Sequence, residues 1–579
     1  MRIVIDMQGA QTASRLRGIG RYTMALTQAI VRNRAEHDII LALSGQFPES
    51  IEAIRSGFKE LLPSQNIRTW HAPTPLREGD LDNDWRNDVA RLIREAFIAN
   101  LQPDVVYITS LFEGYYDDAV TSIGIFDSHT PVCVTFYDLI PLLNPGHYLK
   151  PDAEYHRHYL RKLEHLRRAT RMLAISESSR REGIEQLDLE EHRVVNISTA
   201  ADAHFRPLAL SAEQQQAMRR KYDVQYGIKR PFVMNTGAND SRKNIDGLIR
   251  AYALLPSALR AQHQLVIVSF LPDADRLRLE ALAAAQNLGA DELLLIGYVD
   301  EDDLLHLYNL CRMFVFPSWH EGFGLPALEA MSCGRAVIAS NTSSMPEVIG
   351  REDALFNPKS DADIAEKIAR VLTDDDFRHE LEQHGLQQAQ GFSWDISARR
   401  AIAAMEAMHA EYIAQVQEIN LATRNAITKP KLAYVSPLPP ERTGIANYSA
   451  ELLPALREHF AIELITDQPV VSLPSGASDL PVRSVAWFKA HGHEFDRVLY
   501  QFGNSPYHEH MLDLVHSYPG VVMLHDFFLC SLLADCELKE RRPGAWTQAL
   551  YHSHGYQAVA DRYHVADPEY TKRKYPCNL

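Results

Sequence analysis

Short apolar runs recur along this chain, each followed by a longer stretch with helical spacing, and the alternation restarts partway. RIVIDM (2–7), DIILAL (38–43), DVVYIT (104–109), PVCVTF (131–136), RMLAIS (171–176) and RVVNIS (193–198) are apolar on both faces. Strands of that kind need cover on each side, which a parallel sheet between two helix layers provides. YTMALTQAIVRN (22–33) supplies an amphipathic helix between the first two. The pattern breaks into a polar stretch around 206–230. It then restarts with PFVMNTG, QLVIVS, ELLLIGY, MFVFPS, AVIAS and DALFNP between 231 and 358. The reading is α/β, with two doubly wound domains in series over 1–206 and 207–390. A helical segment at 391–418 closes the module, and a polar linker follows at 419–430.

A third block, 431–579, repeats the opening of the first. RGIGRYTMALTQAI (17–30) matches TGIANYSAELLPAL (443–456), and VTFYDLI (134–140) is echoed by VMLHDFF (522–528). EGFGLPALEA (321–330) has no second copy, so this block is expected to be a partial second module resembling only the first domain.

The formal net charge of −16 argues against a nucleic-acid binder. The six cysteines show no C-x-x-C spacing, which suggests neither a disulfide framework nor a zinc ribbon. The first residues enter a strand without a leader pattern, and no apolar run approaches the ~20 residues of a membrane span. A soluble cytoplasmic protein is expected.

The chemistry concentrates in SWHEGFGLPALEA (318–330). A strand ends, Gly322 and Gly324 form a turn, and a helix follows with Pro326 in its first turn. A helix N-terminus at the carboxyl end of a parallel strand suits an anion. Glu321 and Glu329 flank that place. Carboxylates would repel a diphosphate, so they fit better as acceptors for sugar or ribose hydroxyls. NTGANDSRKNIDGLIRAY (235–252) repeats the strand, glycine turn and helix. It puts Arg242 and Lys243 where cations oppose the helix dipole unless an anion binds. Two anion-friendly turns with hydroxyl acceptors between them suggest a nucleotide-sugar.

With Glu-x7-Glu in place, residues 1 to about 418 resemble the GT-B retaining glycosyltransferases of family 4 (group 1). IDMQGAQTASRLRGIGRYT, TSLFEGYYDD, YDLIPLLNP and RKN are similar to stretches of bacterial O-antigen mannosyltransferases. The resemblance implies two Rossmann-like domains facing a cleft, plus a partial second GT-B module. It implies transfer of mannose from GDP-mannose to a polyprenyl-diphosphate-linked saccharide in lipopolysaccharide O-antigen synthesis, without a cofactor or metal. The implied catalytic residues are Asp138, Lys243 and Glu321. Arg242 and Lys243 would hold the donor phosphates, Glu321 the sugar hydroxyls and Glu329 the ribose. The backbone of Phe323, Gly324 and Leu325 would meet sugar and phosphate. Tyr298 and Val299 would edge the base, and Gly18 and Gly20 would face the diphosphate. Two departures stand out: Tyr137-Asp138 where relatives usually carry His-Asp, and Ala238 where many carry arginine.

Other readings stay open at this point: another UDP- or GDP-sugar donor, a GT-B sugar-nucleotide epimerase, or a non-catalytic binding module. Asp82/Asp84, Asp273/Asp275 and Asp361/Asp363 match the Asp-x-Asp of metal-dependent transferases, but none lies in a recognisable site. The stretch 156–181 carries eight Lys/Arg against two Glu. Its default reading is a solvated helix face, and a lipid-linked acceptor makes peripheral contact with the inner membrane a second one.

Overall fold

The computed structural model of the chain describes residues 1–16, 18–425, 429–565 and 567–577. The chain forms two compact units, Met1–Val416 and Gln417–Leu579.

The first unit holds two parallel sheets. β1 (Arg2–Asp6), β2 (Asp38–Ser44), β3 (Ile67–Trp70), β4 (Val105–Ile108), β5 (Val132–Phe136), β6 (Arg171–Ala174) and β7 (Val194–Asn196) are ordered β3-β2-β1-β4-β5-β6-β7. β8 (Phe232–Thr236), β9 (Gln264–Val268), β10 (Leu293–Ile296), β11 (Met313–Phe316), β12 (Ala336–Ser340) and β13 (Leu355–Phe356) are ordered β10-β9-β8-β11-β12-β13. In each sheet the order reverses beside the first strand, opening a crevice at the strands' carboxyl ends. Every apolar run read as a strand in these domains is one. β3, IRTW, is an addition to that reading. It lies at the sheet edge with Arg68 exposed, so it lacks the continuous apolar run of a central strand.

The polar stretch between the sheets contains the helix Ala212–Tyr226, opened by a Ser211/Gln214 capping box and stopped by Gly227 at φ 76°. A long helix, Trp394–Asn425, follows the second sheet, so the linker expected over 419–430 begins inside it. Residues 426–428 of that linker lie outside the described ones. NLATRN has no apolar period, yet Leu, Ala and Arg are good helix formers, so propensity carries the helix past the pattern. This helix returns to the first domain: Arg171 Nη2 donates to Glu411 at 2.7 Å, and Asn33 Nδ2 donates to Asp395 at 2.8 Å.

The basic run 156–181 is not the solvated face expected of it. Lys162 and Arg171 are buried. Lys162 and Arg161 reach the buried Glu78 at 3.2 and 2.8 Å, and Arg180 pairs with Glu177 at 3.0 Å. Of the eight, Arg157, Arg167, Arg168 and Arg181 are exposed. The six cysteines are buried and free. Among the described residues, no helix is long and apolar enough to cross a membrane.

The second unit contains β14 (Lys431–Val435), β15 (Ala461–Thr466), β16 (Val482–Ser484), β17 (Arg497–Phe502) and β18 (Val521–Leu524), ordered β16-β15-β14-β17-β18. This is the order β3-β2-β1-β4-β5 of the first sheet, so the sequence repeat is also a repeat of topology. The edge strand differs from its counterpart: β5 is wholly buried, whereas every residue of β18 is exposed.

Candidate active site

Two turns at the carboxyl ends of β8 and β11, which are hydrogen-bonded neighbours, build the site. After β8, Asp240 caps a 3-10 turn, Ser241–Lys243, accepting from the Arg242 N–H at 3.0 Å. Asn244 then takes φ 55° before the helix Ile245–Ala253. Its Nδ2 donates to the carbonyls of Pro317 and Pro358 at 3.2 and 2.8 Å, tying this turn to the next one. After β11 the chain runs through 317–324 into the helix Leu325–Ser332. Gly324 has φ 102°, and a Cβ there would lie 2.0 Å from Met345 Cε, so only glycine fits. The turns are joined directly: the Trp319 N–H donates to the Arg242 carbonyl at 2.8 Å, and Arg242 Nη1 donates to the His320 carbonyl at 2.9 Å.

At their junction Glu321 is buried between two cations. Lys243 Nζ donates to Oε1 at 2.6 Å, and Arg242 Nη1 donates to Oε2 at 3.0 Å. Burial pushes the Glu321 carboxyl up, but Lys243 and Arg242 outweigh it and hold the group below its usual range. The three residues assigned to phosphate and sugar thus form one charged cluster. The sequence placed them near one another without pairing them.

Glu329 lies on the helix Leu325–Ser332, where Tyr308 Oη donates to Oε2 at 2.9 Å. Here burial dominates and pushes the carboxyl up to about 7. The two glutamates of Glu-x7-Glu therefore have opposite electrostatic settings. One is held ionised by cations, and the other sits where its charge is poised near neutral pH.

The first domain supplies the facing wall. Asp138 follows β5 and accepts from the Ile140 N–H at 3.0 Å. Burial raises its pKa, against the pull of that N–H and of Arg242 and His320. At Gly322 a Cβ would come 2.9 Å from the Tyr137 carbonyl and 3.2 Å from Asp138 Oδ2. This glycine therefore lets the two domains approach closely.

Further contacts hold the cleft closed, and sequence reasoning missed all of them. Tyr148 Oη donates to Asp240 at 2.9 Å, and His320 Nε2 lies 2.8 Å from Glu182. Ser179 Oγ donates to the Tyr137 carbonyl at 2.7 Å and lies 3.2 Å from the Gly322 carbonyl. Glu347, from the second domain, accepts from the N–H groups of Glu177 and Ser178 at 2.9 and 3.1 Å, placing a carboxylate on the N-terminus of a first-domain helix. A signal existed for His320, which adjoins Glu321; the rest are far apart in sequence.

The remaining expected residues divide. Gly18 opens the helix Gly18–Arg32, and nothing lies within 4 Å of where its Cβ would be. At Gly20 a Cβ would fall 2.3 Å from Arg15 Cα, so packing against the preceding turn requires glycine there and leaves only backbone to meet a donor. Tyr298 is 78 % exposed beside β10, while Val299 and Phe323 are core side chains that could offer a ligand only backbone. Leu325 is half-buried at the helix start. The Asp-x-Asp pairs have a local explanation. Asp273/Asp275 and Asp361/Asp363 occupy the first turns of helices, and Asp82/Asp84 bracket the entry to another. Carboxylates favour such positions.

Comparison with known proteins divides the chain at the same two domains. The model "Glycosyltransferase Family 4" matches residues 16–205 and "Glycosyl transferases group 1" matches 218–388. The serotype-specific mannosyltransferase WbdA of Escherichia coli is 40 % identical over 403 residues, 69 % of this chain and 47 % of that one. O-antigen chain mannosyltransferase B of Escherichia coli is 33 % identical over 261 residues, 45 % of this chain and 66 % of that one. The chain spans about half the length of the WbdA proteins it matches. Among solved structures, a glycosyltransferase from Rickettsia africae superposes with a TM-score of 0.50 at 15 % identity, over 70 % of this chain and 98 % of that one, a likeness of fold alone. With both family models seated on the two domains that form the cleft, the chain belongs to the family 4, group 1 glycosyltransferases and has their GT-B fold.

Proposed function

We propose that the protein is a retaining mannosyltransferase that moves mannose from GDP-mannose onto a polyprenyl-diphosphate-linked saccharide in O-antigen synthesis, working at the cytoplasmic face of the membrane. The observation that carries the reading is the Lys243–Glu321–Arg242 cluster at two strand-end turns. The relatives named as mannosyltransferases support the choice of sugar.

Breaking the bond between the sugar carbon and the donor phosphate leaves charge on the diphosphate. Lys243 and Arg242 stabilise that charge, and the fixed N-terminus of Leu325–Ser332 adds a dipole. Glu321 holds both cations in place and exchanges part of that pairing for sugar hydroxyls when the donor enters. The acceptor hydroxyl attacks from the face the diphosphate leaves and gives its proton to the departing phosphate oxygen, within a cleft that Asp138 borders. Rate enhancement comes from charge stabilisation and from holding two substrates in register.

On this reading no metal takes part, so full activity should persist in EDTA. Loss of turnover that Mn²⁺ or Mg²⁺ restores would contradict it. Product analysis with and without a mannoside acceptor separates transfer from epimerisation. A new glycosidic product that appears only with acceptor is expected, whereas an altered sugar nucleotide formed without acceptor would favour an epimerase.

Glu329 gives a pH test. Ribose hydroxyls donate best to the ionised carboxylate, so the donor KM should rise as pH falls below about 7. Glu329→Gln should show a higher donor KM with little of that pH dependence. Stability should move the other way. A carboxyl whose folded pKa lies above its unfolded one costs stability as pH rises from the ordinary carboxylate range to about 7. Glu329→Gln should therefore be the more stable protein at pH 8. A variant that loses kcat alone, or gains no stability there, would refute the assignment.

A further inference from the structure

The first-domain helix Glu177–Leu187, which follows β6, meets the second domain along one face. At its start the Glu347 carboxylate accepts from the N–H groups of Glu177 and Ser178. Further along, Ser179 Oγ lies 3.2 Å from the Gly322 carbonyl, and Glu182 Oε1 lies 2.8 Å from His320 Nε2. Residues 178 and 179 stand four and three positions before 182, so all of them share that face. Two of the three contacts land on the turn 317–324, which carries Glu321.

The Glu182–His320 pair is not a solvated surface bridge. The His320 and Glu182 side chains are only 17 and 18 % exposed. Glu182 Oε2 is buried without a hydrogen-bond partner, and among the described residues His320 is the one basic side chain bridged to this carboxylate. A carboxylate so desolvated depends on the cation it has. His320 is tied to the site at its other end. Its carbonyl accepts from Arg242 Nη1 at 2.9 Å, and Glu321 follows it in the chain. The charged groups facing its ring are Glu182 from the helix, Asp138 from the segment after β5 and Arg242 from the turn after β8. Burial pulls the imidazole down and Arg242 adds to that, but Glu182 and Asp138 outweigh both and lift it above its usual range. Its charge therefore persists to higher pH and is lost as pH rises through the lifted value.

We propose that Glu182 and His320 are a pH-sensitive positioning pair: they seat the turn 317–324 on the first domain, holding the Lys243–Glu321–Arg242 cluster in register with the wall at Asp138, and they loosen it as the histidine gives up its proton. The inference rests on the glycosyl-transfer reading for what that register serves, and adds two residues that set it. It differs from the Glu329 effect in both step and direction. Glu329 acts on donor affinity as pH falls, whereas this pair acts on the transfer step as pH rises.

The test uses the full chain in single-turnover transfer from GDP-mannose to a mannoside acceptor between pH 6.5 and 9. The wild-type rate should fall on the alkaline side at constant donor Kd. Glu182→Gln and His320→Gln should each be slower at pH 7 by about fivefold, the loss of charge from one hydrogen bond, and should lack the alkaline fall. The double variant should be no slower than the slower single one, because both remove the same contact. An alkaline fall that persists in both variants, or losses that multiply in the double variant, would overturn the proposal. A second readout needs no turnover. Glu52→Cys and Glu280→Cys place spin labels on exposed positions of a first-domain and a second-domain helix, and the native cysteines are buried. The label-to-label distance should change from pH 6.5 to 9, and Glu182→Gln or His320→Gln should show the high-pH distance throughout. That result supports the pair even if GDP-mannose is never consumed, an outcome that would count against the transferase reading instead. A wild-type distance that ignores pH overturns the pair.

Discussion

Lys243→Ala should reduce transfer by at least two orders of magnitude, mainly in kcat. The side chain is buried, is held by Glu321 at 2.6 Å, and lies at the junction of the two anion-friendly turns. Removing it takes one cation from the developing diphosphate charge. By analogy with a lost oxyanion donor, that costs about 3 kcal/mol of transition-state stabilisation. Arg242 remains, half-buried and still paired with Glu321, so residual activity rather than none is expected. Lys243→Arg should recover only part of the loss, because a planar guanidinium does not fit a site shaped around a compact ammonium. Steady-state kinetics with GDP-mannose checks this. Near wild-type kcat in Lys243→Ala would remove the residue from the mechanism.

Glu321→Ala should be the most destabilising single change at the site. It leaves Lys243 and Arg242 facing each other without their shared carboxylate. Breaking a buried pair costs about 3 kcal/mol or more, since the surviving charges stay desolvated. The cost should show as a lower thermal midpoint and as faster hydrogen exchange in the turns 239–244 and 317–324. Glu321→Gln keeps the shape and one acceptor oxygen, and should fall between alanine and wild type in stability while losing most activity. Unchanged stability in Glu321→Ala would mean that the ion pairs seen here do not hold the site.

The two results separate roles that the sequence does not. Glu-x7-Glu and the Arg-Lys turn were legible because each is a local device of strand end, glycine turn and helix start. The sheets were legible for a similar reason: a strand buried on both faces must be apolar throughout, and a dozen such runs appear. Legibility failed where partners are distant. Glu182 with His320, Tyr148 with Asp240, and Glu347 with the helix start at Glu177 join the two domains across 92 to 170 residues. No periodicity or spacing reports such a contact. The basic run at 156–181 was misread for the same reason, because Glu78, which neutralises its centre, lies about 80 residues earlier. The packing demand at Gly20 and Gly322 was not legible either, since composition cannot tell space kept for a ligand from space filled by backbone.

The central claim is that the Lys243–Glu321–Arg242 cluster handles the diphosphate of a GDP-sugar. The most direct measurement is a donor screen on the purified full chain with a neutral mannoside acceptor, comparing GDP-mannose with other GDP- and UDP-sugars and running Lys243→Ala in parallel. The account predicts turnover with GDP-mannose, an α-linked product that retains the donor's configuration, and loss of that product in the variant. Turnover with another sugar nucleotide and none with GDP-mannose, or an undiminished rate in Lys243→Ala, would contradict it.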